Sequence, residues 1–92
     1  MIIAGFEATL HIHGAQSLKD KRMVIKSICD RLKKRFNVSV VESGDNDKWQ
    51  KCRLGIAIAA ISQSRADNML EKIIEYLYED DRIEIIGIEK HG

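Results

Sequence analysis

Between Ser17 and Phe36 the chain reads SLKDKRMVIKSICDRLKKRF. Eight basic side chains, Lys19, Lys21, Arg22, Lys26, Arg31, Lys33, Lys34 and Arg35, stand there against Asp20 and Asp30. A row of ammonium and guanidinium groups can contact successive phosphates of a polyanion, which gives affinity without reading bases. At about 100° per residue on a helix, Arg22, Lys33, Lys26 and Lys19 cluster on one flank of an apolar stripe. The same projection puts Lys21 on the other flank and Lys34 more nearly outward. The competing reading is that Lys and Arg are good helix formers filling a solvated face. Against it, Lys19, Lys21 and Arg22 crowd the opening turns, where cations oppose the helix macrodipole without evident structural return. The expectation is a nucleic-acid-contacting surface made of Lys19, Lys21, Arg22, Lys26 and Lys33.

The other groups with chemical potential are weaker. His11 and His13 alternate onto one side of a strand, and a metal ion can bridge such a pair. Zinc needs further ligands, however, and neither Cys29 nor Cys52 sits in a C-x-x-C spacing. Solvent-side histidines and a buried Cys29 thiol are expected, with no metal and no cofactor assigned. Asp45 and Asp47 fall in a turn-like stretch, where carboxylates more often cap or solvate than catalyse. No nucleophile has an evident base beside it, so a non-enzymatic binding protein is expected. Trp49 belongs to the residue type most enriched at interface hot spots. Ala57, Ala59 and Ile61 leave a strand face small and apolar enough for close packing. These four residues form a second candidate surface, for a homodimer or another protein partner.

The elements that must position these groups follow from periodicity. Ile2, Ala4, Phe6, Ala8, Leu10 and Ile12 fall on one side and Ile3, Gly5, Glu7, Thr9, His11 and His13 on the other, a strand with one clearly apolar face that Gly14 ends. Ser17 with Asp20 resembles a capping box opening a helix through Phe36. Its stripe is Leu18, Ile25, Ile28, Cys29, Leu32 and Phe36. A β-branched run predicts a second strand over about Val38–Glu42, then a loop through SGDNDK and a third strand over about Gln50–Ile61. Ser64 with Asp67 repeats the capping pattern before a second helix whose stripe is Ala66, Met69, Leu70, Ile73, Ile74 and Leu77. The tail RIEIIGIEKH reads as a fourth strand with Ile83, Ile85, Ile86 and Ile88 covered on both faces.

The order β-α-β-β-α-β, with two helix stripes and one apolar strand face to match, implies an α+β fold of the ferredoxin-like type. It is a four-stranded antiparallel sheet with both helices on one face, first and third strands central, second and fourth at the edges. A single domain over residues 1–92 accounts for the whole chain, which has 45% hydrophobic and 32% charged residues and no proline. No apolar run reaches the ~20 residues of a membrane helix, the N-terminus does not read as a signal peptide, and two cysteines are too few for a disulfide scaffold. A cytoplasmic setting with no membrane partner is expected. Net charge is +1. Residues 66–92 nevertheless carry eight acidic and three basic side chains, opposite in sign to the first helix.

Three ordered motifs, SLKDKR opening the first helix, RFNVSV leading into the second strand, and WQ shortly before LGIA, resemble the YlxP-like family of small bacterial proteins over nearly the whole chain. The resemblance implies a ferredoxin-like fold, a cytoplasmic bacterial protein, and genes often set beside those of translation initiation and ribosome maturation. It brings no catalytic residue. One departure is His13, where relatives commonly carry proline before the glycine. Together with the basic helix, this makes RNA or a ribosomal particle the expected partner. Stacking of bases on the sheet is not expected, because Phe6, Phe36, Trp49, Tyr76 and Tyr78 are the only aromatic rings and none belongs to the open face of a central strand. Acylphosphatases share the topology, but their phosphate cradle needs an arginine after the first strand, and here HGAQS has none before Arg22.

Overall fold

The computed structural model describes residues 1–91. Its elements run β1 (Ile2–Ile12), α1 (Leu18–Arg35), β2 (Ser39–Gly44), β3 (Lys51–Ala60), α2 (Gln63–Tyr78) and β4 (Ile83–His91). The strands form one sheet in the order β2-β3-β1-β4, and every neighbouring pair is antiparallel. This is the ferredoxin-like arrangement, with β1 and β3 central. Among the described residues, no helix is long and apolar enough to cross a membrane.

The alternation of β1 and β3 decides which sheet face is covered. Ala4, Phe6, Ala8, Leu10 and Ile12 from β1 join Cys52, Leu54, Ile56 and Ile58 from β3 in one buried cluster. Ile25, Ile28 and Leu32 of α1 and Ala66, Leu70, Ile73 and Leu77 of α2 close it from the helix side. Truncating any of the fully buried leucines there would cost about 2–5 kcal/mol. At Gly5 the two central strands come so close that a Cβ would lie 2.2 Å from the Ile56 carbonyl oxygen, so only glycine fits. Gly14 ends β1 with φ +74°, the left-handed region that glycine enters without penalty.

Both helices start on serine caps. Ser17 Oγ accepts from Asp20 N at 3.1 Å, and Asp20 Oδ2 accepts in return from Gln16 N at 3.1 Å. The second cap is Ser62 rather than Ser64: its Oγ accepts from Arg65 N at 3.3 Å, and the helix has begun by Gln63. The second strand also begins and ends later than the β-branched run suggests, at Ser39 and Gly44, and Gly44 pairs with Arg53 past an irregularity at Ser43. The fourth strand departs most. Ile83 and Ile85 face the core, whereas Ile86 and Ile88 are exposed. A bulge between Thr9 and Leu10 of the β1 pairing leaves Ile86 unpaired, so β4 is an edge strand covered only at its start.

The loop before β4 is held by Arg82. Its Nε and Nη2 donate to the two carboxylate oxygens of Asp80 at 2.9 and 2.7 Å, and Nη1 donates to Ser27 Oγ on α1 at 3.3 Å. The Arg82 guanidinium holds the Asp80 carboxyl below its usual range. That contribution to stability is therefore complete at neutral pH and is lost as pH falls through the lowered value.

Candidate nucleic-acid interface

On α1 the cations separate into two groups with opposite fates. Lys19, Arg22, Lys26 and Lys33 are all exposed, and their spacings of three, four and seven place them on one flank. The row is about 21 Å long at 1.5 Å per residue. Among the described residues, none of the four lies within ion-pair distance of a carboxylate. The cations that do are Lys21, Lys48, Arg53 and Arg82. Four positive charges thus face water in line, free of internal partners.

Lys21 has to be removed from the expected surface. It is 1% exposed and stands inside the buried stripe with Ile25, Ile28 and Leu32. Its Nζ lies 2.9 Å from Glu42 Oε2 on the helix-facing side of β2 and donates to the Asp45 carbonyl. Asp45 is the one non-glycine described residue with positive φ, at 61°, so the lysine anchors the loop at its most constrained point. The Glu42 oxygen facing Lys21 makes no well-aligned hydrogen bond, so the contact is an ion pair in the strict sense. A buried ammonium needs such a partner, and this is the structural return that the opening turn of the helix seemed to lack.

The cysteines offer no nucleophile. Burial, followed by the charge of Glu42 and a hydrogen bond to it, pushes the Cys52 thiol up to about 12. Burial likewise raises Cys29, and both are unpaired. Neither supplies a thiolate near neutral pH.

The second expected surface divides in space. Ala57 and Ala59 are exposed on the sheet face away from the helices, and Ile61 is exposed just past the end of β3. Trp49 is 55% exposed but precedes the other end of that strand, roughly 27 Å from Ala57 at ~3.4 Å per residue. The structure instead adds Ile3, opposite Ala59, and Val41, opposite Gly55, at 66% and 60% exposure. Ile3, Gly5, Val41 and Ala57 line a shallow groove of about 420 Å³. Ile3 was readable as an outward isoleucine in β1, but Val41 acquires its place only through the β2–β3 register. The remainder of this face is polar. Arg53 Nη2 lies 2.9 Å from Glu7 Oε2, Ser43 Oγ donates to the same oxygen at 3.0 Å, and His91 Nε2 lies 3.2 Å from Glu7 Oε1.

Fold and surface together define a ferredoxin-like domain with one exposed cationic helix flank and an uncovered sheet face. Residues 3–90 match the family model described as "Protein of unknown function (DUF503)". The chain is also 38% identical over 66 residues, 72% of each chain, to "Uncharacterized protein YlxP" of Bacillus subtilis (strain 168). The chain therefore belongs to the DUF503 family.

Proposed function

We propose that this is a cytoplasmic binding protein that holds RNA, alone or on a ribosomal particle, through phosphate contacts from Lys19, Arg22, Lys26 and Lys33, and catalyses no reaction. The observation that carries the reading is the alignment of four exposed, internally unpartnered cations along one flank of α1. Such a row supplies affinity through counterion release and carries no base specificity. The gene neighbourhood implied by the family resemblance points the same way. The test is co-sedimentation with ribosomal particles from a native lysate. Association that survives in 50 mM salt and is lost on nuclease treatment supports the reading, and sedimentation unchanged by nuclease contradicts it.

A second reading rests on a different observation. An antiparallel sheet facing water normally carries polar residues outward, yet this one exposes Ile3, Val41, Ala57 and Ala59 together. The adjoining half mixes Glu7 and Glu89 with Arg53, a composition able to meet its own copy across a two-fold axis. Light scattering of the chain is expected to show a dimer that Val41→Asp dissociates. A monomer at high protein concentration would end this reading and leave the first intact.

A further inference from the structure

We propose that His11, His13 and Glu84 form a binding site for a divalent transition-metal ion, with zinc as the reference case. The proposal rests on neither reading of function above. It starts from strand geometry: His11 and His13 are two residues apart and emerge on the same side of β1. The β1–β4 register then sets Glu84 directly opposite His11. The backbone N–H of His13 donates to the Arg82 carbonyl at 2.9 Å, so the second histidine is tied to the strand that brings the carboxylate. The two imidazole rings stand 4.9 Å apart, centre to centre, at 77° to one another. One ligand atom from each of the three residues lies within 4.8 Å of the others.

Tetrahedral bonds of about 2.0–2.1 Å require ligand atoms roughly 3.4 Å apart. The three groups must therefore close by little more than 1 Å, which small side-chain rotations supply because His13 and Glu84 are exposed and His11 is half-buried. Two neutral imidazoles and one carboxylate suit zinc, nickel or copper better than magnesium or calcium, which prefer all-oxygen shells. Three protein ligands leave a fourth position for water or for an oxygen of a partner. Lys51 on β3 lies opposite His11 in the β1–β3 register and brings a cation to this end of the sheet. A cation there weakens metal binding, and this gives the site a distinctive signature.

The experiment is calorimetric titration of the full chain with zinc chloride, paralleled by cobalt(II) as a spectroscopic probe of tetrahedral coordination. One equivalent is expected to bind. His11→Ala, His13→Ala and Glu84→Gln should each weaken it by at least about tenfold, whereas Lys51→Ala should tighten it. Circular dichroism of each variant checks that the substitutions leave the fold in place. Absence of one-equivalent binding, or binding that persists unchanged in the His11→Ala/His13→Ala double variant, overturns the assignment.

Discussion

Glu42→Ala is expected to lower the unfolding free energy by about 3–5 kcal/mol, measured by urea denaturation, the range for removing one partner of a buried ion pair. A 92-residue chain has roughly 5–14 kcal/mol in total at ~0.05–0.15 kcal/mol per residue, so the loss is a large fraction of its stability. The cause is asymmetric burial. Lys21 is 1% exposed and the Glu42 side chain 22%. Without the carboxylate, the ammonium keeps only the Asp45 carbonyl as a polar partner. Lys21→Met is expected to cost less, because the carboxylate left behind can rehydrate. The double variant Lys21→Met/Glu42→Leu removes both charges and should recover most of the loss, since apolar replacement of a buried pair is often neutral or better. A loss below about 1 kcal/mol for Glu42→Ala would show that the pair does not hold the β2–β3 loop to α1.

Charge reversal on the exposed row should have the opposite profile, with a large effect on binding and little on folding. Arg22→Glu/Lys26→Glu places two carboxylates where the proposed RNA backbone would lie. Affinity for single-stranded RNA at 100 mM salt is expected to fall by more than about tenfold through two lost phosphate contacts and the added repulsion. Both positions are exposed, and exposed substitutions usually change stability by only ~0.5 kcal/mol. Reversal of Lys72 and Lys90, which lie outside the row, serves as the comparison and should cost much less.

The contrast between these two lysine-bearing sites shows what the sequence made legible. The alternation of β1, the stripes of both helices and the Ser17 cap were strong local signals, and they led to the right element order and sheet arrangement. The flank position that the sequence reading gives Lys21 is the wrong angular placement. On a helical projection it stands only about 20° from Ile28 and Leu32, within the stripe. Its partner Glu42 alternates with Val40 onto the same inner side of β2, but that pairing exists only once α1 is laid across the sheet. Similarly, Ser62 and Ser64 are chemically equal caps, and the choice between them depends on where β3 stops. The two outer isoleucines of β4 look like core by composition and are exposed because a bulge and an edge position intervene. Glu84 could not be joined to His11 and His13 without the strand register. Local chemistry was legible, and cross-strand partnership was not.

The most direct test of the RNA reading is the salt dependence of binding to a labelled single-stranded RNA oligonucleotide between 50 and 200 mM monovalent salt. Four phosphate contacts predict a log–log slope of about −2.8, roughly a fifty-fold loss of affinity over that range, and a slope near −1.4 for Arg22→Glu/Lys26→Glu. A slope near zero, or one that the double reversal leaves unchanged, would contradict the account.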